Sequence, residues 1–340
     1  MARIAVDAMG GDHAPAVVVE GSVQACRDLD VEVVLVGDEP RIRAELARLG
    51  AVDQRGISVR HTTEVVEMSE HPGQALRKKK DSSLRVIFDL VKEGRADACM
   101  SAGNSGGMLA AALFVLGRLP EVERPAIATF LPTVVGRMVL IDAGANVDVK
   151  PLHVAQFAVM GEAYARLVGG VAKPRVAVLS NGEEPSKGTA LTRAAAEALA
   201  RDGAIDFGGY AEGKDLFTGE FDVVATDGFT GNVVLKTTEG VATAFGTLLK
   251  RGILSSPRTK LGGLLIKPAL AGIKRAMDYS EYGGAPLVGC DGTAIIAHGR
   301  SNATAIKNAI RAADFSCRHD ARAEISAACA RVRGLVTEAA

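Results

Sequence analysis

The sequence has no tryptophan, and aromatic residues make up only 4% of it. A core built on aromatic anchors is therefore excluded. Val, Ile, Leu and Ala must fill the interior, within a hydrophobic fraction of 48%. That composition suits parallel strands buried on both faces. Neither sign of charge is in surplus, since 40 Lys and Arg balance 40 Asp and Glu. A dedicated nucleic-acid binder needs a basic excess against phosphates, so no nucleic-acid partner is expected. The five cysteines, Cys26, Cys99, Cys290, Cys317 and Cys329, form no C-x-x-C pair. Their scatter points to neither a zinc site nor a disulfide framework, and they read as reduced cytoplasmic thiols. No uncharged apolar run approaches the ~18 residues of a membrane span. The opening Met-Ala-Arg-Ile-Ala-Val-Asp reads as a strand, not a signal peptide.

The chemical motifs are sparse too. No G-x-G-x-x-G follows a strand. Gly182 and Lys187 resemble part of a Walker loop, but Gly188 follows the lysine where Ser or Thr is required. Nucleotide chemistry is poorly supported on this count. His13, His61, His71, His153, His298 and His319 lack metal-ligand spacing. No G-x-S-x-G elbow occurs and no cysteine has an evident histidine partner, which disfavours a covalent acyl-enzyme. Neither metal nor cofactor is expected.

What is present is an alternation of short apolar runs with helical stretches. Strands are expected over Arg3–Ala8, Glu32–Gly37, Ala96–Ser101, Ala126–Leu131, Met138–Asp142, Arg175–Ser180, Phe221–Thr226 and Ala294–Ala297. Helices are expected over Ala14–Leu29, Pro40–Leu49, Ser82–Glu93, Ser105–Leu116, Leu152–Leu167, Thr189–Arg201 and Asn302–Ala313. This is the pattern of an α/β protein with a mostly parallel sheet covered on both faces, one unit over residues 1–340. One stretch breaks the alternation. Val241–Met277 holds no Asp or Glu, but carries seven Lys and Arg among many Leu and Ile. It reads as a basic, apolar helical insertion, with outer limits of 238–282.

Ligands of open parallel sheets bind beyond the carboxyl ends of strands. Five strand ends run into similar loops: Asp7–Asp12, Ser101–Gly107, Asp142–Asn146, Asn181–Thr189 and Thr226–Asn232. Glycines there allow close backbone approach, and N–H groups at a following helix start can cradle an anion. One such loop is an ordinary turn. Five in one chain favour a shared site for a phosphate-bearing ligand. Lys187 precedes the helix opened by Thr189, where a cation would hold phosphate or stabilise an oxyanion. It equally fits a solvated lysine, and spacing alone does not choose. His298 follows one strand and precedes a helix.

Taken in order, these stretches resemble the phosphate acyltransferase family of bacterial phospholipid synthesis, the PlsX type. The resemblance is carried by Val6–Asp12, Lys79–Ser83, Ser101–Asn104, Asp142–Asn146, Gly228–Asn232, and Gly283–Leu287 through His298-Gly299. It spans nearly the whole chain. Ser105 stands where the family usually has Thr, and Asp291 where it more often has Asn. The resemblance implies an isocitrate/isopropylmalate dehydrogenase-like fold, as in phosphotransacetylases, in a three-layer α/β/α arrangement with a helical dimer arm. It also implies attack of inorganic phosphate on the thioester of a long-chain acyl–acyl carrier protein, by a homodimer without metal. Lys187 and Asn232 match positions associated with catalysis.

Candidate substrate or phosphate contacts are Asn104, Ser105, Gly106, Asn146, Asn181, Gly231 and His298. Asp7, Asp142 and Asp227 are read as loop-orienting, since a bare carboxylate repels phosphate. The run Arg77-Lys78-Lys79-Lys80 is either a solvated helix end or a dock for acidic carrier protein. Leu261, Leu264, Leu265 and Lys267 are expected to touch an anionic membrane at the inner face. A downstream glycerol-3-phosphate acyltransferase is a candidate partner. An acyl-CoA-dependent phosphotransacetylase, a dehydrogenase on the same fold and a non-catalytic carrier-protein scaffold are the alternatives.

Overall fold

The computed structural model describes residues 1–67, 69–277 and 283–336. Its strands are β1 (Ala2–Asp7), β2 (Val31–Gly37), β3 (Ile57–His61), β4 (Ala98–Ser101), β5 (Ala126–Thr133), β6 (Gly136–Ile141), β7 (Arg175–Leu179), β8 (Asp206–Ala211), β9 (Val223–Ala225), β10 (Ala285–Val288) and β11 (Thr293–Ile296). They form one sheet in the order β3-β2-β1-β4-β11-β10-β5-β6-β9-β7-β8. The helices are α1 (Ala16–Asp28), α2 (Glu39–Arg48), α3 (Pro72–Lys78), α4 (Ser83–Lys92), α5 (Ser105–Ala111), α6 (Pro151–Leu167), α7 (Ala190–Arg201), α8 (Gly228–Leu254), α9 (Pro257–Met277), α10 (Ala303–Arg318) and α11 (Arg322–Arg333). A π turn, Ala112–Leu116, extends α5.

Strand alternation sends neighbouring side chains to opposite faces, and both faces are covered. In β1, Ile4 and Val6 pack with Val19 of α1 and Ile306 of α10. Ala5 packs on the other side, with Phe88 of α4 and Met108 of α5. In β6, Val139 and Ile141 meet Phe157 of α6 and Cys329 of α11. Met138 and Leu140 face Leu216 and Phe221, flanked by Leu235 of α8. This is the three-layer α/β architecture that the family resemblance implied.

The sheet is mixed. Strands β3, β2, β1, β4 and β11 are mutually parallel, as are β6, β9, β7 and β8. Three successive antiparallel pairings, β11 to β10, β10 to β5 and β5 to β6, join the two blocks. Three reversals leave the blocks running in opposite senses. The β5–β6 hairpin follows from chain length, because two residues between strands leave no room for a crossover helix. The carboxyl ends of the two blocks therefore lie on opposite edges of the sheet. Those edges are close at the centre, where the four residues of β10 span about 13 Å.

Helix α8 is the second feature the alternation did not predict. Gly228–Asn232, expected as a loop, is its first turn. The helix then continues without a break into the basic apolar insertion. Its 27 residues span about 40 Å, and α9 folds back on it through Gly263 against Ile253. Residues 278–282 of the expected insertion lie outside the described residues.

Candidate active site

The loops after β1, β4 and β11 lock together. Asp7 is buried; its carboxylate accepts from the Met9 N–H at 3.1 Å and the Ser101 hydroxyl at 2.7 Å. Ser101 Oγ in turn accepts from the Gly103 N–H at 2.9 Å. A side chain at Gly10 would come within 2.6 Å of both Asp7 Oδ2 and Ser101 Oγ, so only glycine fits there. The Asp12 N–H donates to the Gly299 carbonyl at 2.8 Å, which ties the third loop in. Burial pushes the Asp7 carboxyl above its usual range, against the opposing hydrogen bonds. Asp7 is thus a buried hub of the loop pair.

Asn104 caps α5 by accepting the Gly107 N–H at 2.9 Å. Ser105 and Gly106 are exposed on the first turn. Helix α3 lies over this turn, with Pro72 against Gly106 and the Glu70 carbonyl near the Asn104 amide. The basic run sits on that helix and its end. Arg77, Lys78 and Lys80 are exposed, and Arg77 lies 5.7 Å over the Phe114 ring. Lys79 is different. It bonds to Glu70 at 2.6 Å and to the Val65 carbonyl at 2.7 Å. Its ammonium is engaged in holding the 65–79 segment, so the free basic patch has three residues rather than the four expected.

The loops after β6 and β9 form a second group around Asp142, which is fully buried. Asp142 Oδ1 accepts from the N–H groups of Ile127, Gly144 and Ala145 at 2.9–3.1 Å. Oδ2 accepts from the Asn146 N–H at 2.7 Å and from Asn146 Nδ2 at 2.8 Å. Burial raises this carboxyl's pKa as well. Asn146 Nδ2 also donates to the Pro125 carbonyl at 2.8 Å. Both amide hydrogens of Asn146 are thereby used inside the fold, so the structure makes Asn146 a scaffold residue and not the phosphate donor it was expected to be.

Helix α8 starts on this scaffold. The Gly228 N–H donates to the Asn146 carbonyl at 2.7 Å. Asp227 caps the helix through the Thr230 N–H at 2.8 Å and hydroxyl at 2.7 Å. A Cβ on Gly231 would overlap the Asp142 carbonyl, so the helix reaches the β6 end only because that residue is glycine. Asn232 follows, exposed, with its side chain over Gly144. Asn181 Oδ1 accepts the Gly188 N–H at 2.9 Å and shapes the loop bearing Lys187. Lys187 is exposed and has no ion pair among the described residues.

The two groups meet along α8. Asn232, Lys236 and Glu239 share one helix face by i, i+4, i+7 spacing. Lys236 Nζ lies 2.9 Å from Glu239 and 3.3 Å from His298 Nε2, in the loop after β11. The stripe from Asn232 to Glu239 spans about 10 Å. It links the second group at Gly144 to the first at His298. Lys236 and Glu239 were missed from sequence because Gly228–Asn232 was read as a loop. Their spacing from Asn232 was the available signal. Asp291 precedes β11 and pairs with Arg322 at 3.5 Å, so it stands at the strand end away from His298.

Burial lifts every thiol. Cys26 and Cys317 are pushed up to about 11, Cys290 and Cys329 to about 12, and Cys99 well above its ordinary value. No cysteine is a ready thiolate at neutral pH, as covalent thiol catalysis needs.

A family profile described as "Fatty acid synthesis protein" matches residues 2–322. A protein named phosphate acyltransferase from Anaeromyxobacter sp. (strain K) is 56% identical over 336 residues, covering 99% of this chain and 92% of its own. One of the same name from Myxococcus xanthus is 56% identical over 329 residues, covering 95% and 92%. Among solved structures, a phosphotransacetylase from Streptococcus pyogenes superimposes with a TM-score of 0.62 at 18% identity, over 93% of this chain and 94% of its own. A 4-hydroxythreonine-4-phosphate dehydrogenase from Klebsiella pneumoniae gives 0.55 at 16%, over 93% and 100%. The structural likenesses establish the fold, shared by phosphotransacetylases and dehydrogenases of this type. The sequence identity over nearly the whole chain shows that the protein belongs to the phosphate acyltransferase family of enzymes.

Proposed function

We propose that the protein transfers a long-chain acyl group from the thioester of acyl carrier protein to inorganic phosphate, supplying acyl phosphate for phosphatidic acid synthesis. The full-length identity with phosphate acyltransferases carries the reading. In the reaction a phosphate oxygen attacks the thioester carbonyl carbon and a tetrahedral oxyanion forms. The C–S bond then breaks, and the phosphate proton passes to the departing thiolate. Hydrogen phosphate and acyl thioester become acyl phosphate and free thiol, with atoms and charge balanced. Phosphate is a competent nucleophile once held and oriented, so positioning does most of the work. Asn232 is suited to donate to the oxyanion and Lys187 to stabilise negative charge.

Three features favour a long-chain, carrier-bound donor. Val147, after the β6 loop, and Phe229 and Val233, in the first turns of α8, are exposed apolar residues, a surface suited to an acyl chain. Arg77 and Lys78 lie on the helix that covers the β4 loop and Lys80 just past its end, where an acidic carrier would dock. The α8–α9 arm exposes Val241, Phe245, Leu248, Leu261, Leu264 and Leu265. No described helix is long and apolar enough to cross a membrane. The arm suits a homodimer contact with a basic, apolar stretch of α9, including Lys267, on an anionic membrane. The test compares palmitoyl-carrier protein, palmitoyl-CoA and acetyl-CoA as donors, each with phosphate. Preference for the first supports the reading; preference for acetyl-CoA replaces it with a phosphotransacetylase.

A further inference from the structure

We propose that Lys236 and His298 form the clasp that holds the phosphate nucleophile, where α8 crosses to the loop after β11. This deepens the transfer to phosphate proposed above and rests on it.

The first ground is position. Lys236 stands one helical turn beyond Asn232 on the same face, about 6 Å along the axis. A carbonyl oxygen at Asn232 and a phosphate at Lys236 would be neighbours, as a near-attack arrangement requires. The second ground is hydrogen-bond polarity. His298 Nδ1 accepts the Arg300 N–H at 3.1 Å. A neutral ring must then carry its proton on Nε2, the atom 3.3 Å from Lys236 Nζ. An ammonium and an Nε2–H are both donors and cannot bond to each other. Both can bond one anionic oxygen placed between them. Burial lowers the His298 pKa, with Lys236 and Arg300 acting in the same sense and Glu239 and Asp12 opposing. The ring is therefore the neutral donor at pH 7.

Glu239 completes the device. Its carboxylate bonds Lys236 at 2.9 and 3.1 Å, and its Oε2 lies 4.0 Å from His298 Nε2. It sits at the far end of the stripe from Asn232. It holds the lysine beside the histidine, and in the proposed clasp the ammonium turns toward the anion. The clasp draws one member from each strand block, so phosphate binding would join the two loop groups.

The test is steady-state kinetics on the full-length enzyme with phosphate and acyl-carrier protein varied independently. Lys236→Met keeps the stem and removes the charge. Loss of a charge-assisted bond predicts a KM for phosphate raised about 10- to 100-fold. The KM for acyl-carrier protein should stay within about two-fold, and Lys236→Arg should recover most of the loss. His298→Gln should raise the phosphate KM in the same direction. A phosphate KM within two-fold of wild type in Lys236→Met, or an equal rise in both KM values, overturns the clasp. Equilibrium dialysis of radiolabelled inorganic phosphate gives a second readout. Binding to wild type that is lost in Lys236→Met supports the clasp even if no acyl phosphate forms, in which case the reaction assignment alone has failed. Binding equal in the two proteins overturns it.

Discussion

Replacing Asp142 by Asn tests the scaffold on which the second loop group stands. The side chains are nearly isosteric, so packing is kept and only acceptor capacity changes. The amide oxygen can still serve the three donors at Oδ1, from Ile127, Gly144 and Ala145. The new NH2 then faces the Asn146 N–H and Nδ2, at the present 2.7 and 2.8 Å. Two hydrogen bonds to a charged acceptor are lost, at about 1.5–3 kcal/mol each. Removing a carboxylate that burial disfavours returns part of this, as the raised pKa of Asp142 indicates. A net loss of about 2–4 kcal/mol in denaturant unfolding is expected, with turnover falling further because Asn146 seats the start of α8. Asp142→Asn with stability within about 0.5 kcal/mol of wild type and full turnover would refute the five-donor hub.

Further outcomes follow from the surface and from two histidines, one buried and one half-buried. Lys80→Glu should raise the KM for acyl-carrier protein about 3- to 10-fold, an effect that fades as salt is added. Lys79→Ala should instead lower thermal stability by loosening the Glu70 contact. Leu264→Glu should weaken binding to anionic vesicles in a flotation assay; unchanged binding removes the arm as the membrane contact. Burial lowers the pKa of His153 and His298 below 6.5. The unfolded chain therefore binds protons that the folded chain resists, and stability should fall as pH drops through 6.5. His153→Gln should flatten that part of a melting-temperature profile.

The parts of the fold that were legible are those with strong local patterns. The buried central strands β1, β2, β4, β7 and β9 read clearly as apolar runs. Strands β3 and β8 lie at the sheet edges; β3 is largely exposed, and β8 contains Gly208 and Gly209, so neither makes such a run. Strand β10 begins Ala285-Pro286 and pairs antiparallel, outside the βαβ logic applied. Opposition of the two blocks was hidden because pairing sense is a tertiary property. Only the short link between the strands expected at Ala126–Leu131 and Met138–Asp142, with no room for a crossover helix, hinted at it. At the site, residue types were legible and partners were not. Asn146 and Lys79 looked like free ligands, yet each is engaged by groups far off in sequence, Pro125 and Val65 among them. Lys236 was not singled out in the sequence, and its place at the site came only when α8 was set against His298.

The proposed transfer rests on direct attack by bound phosphate, with no acyl-enzyme. Initial velocities measured over a grid of phosphate and palmitoyl-carrier protein concentrations test it most directly, with thiol release followed before phosphate is added. Direct attack gives intersecting double-reciprocal lines, acyl phosphate in equal amount to released thiol, and no thiol burst without phosphate. Parallel lines with a phosphate-independent burst near one thiol per active site would contradict it.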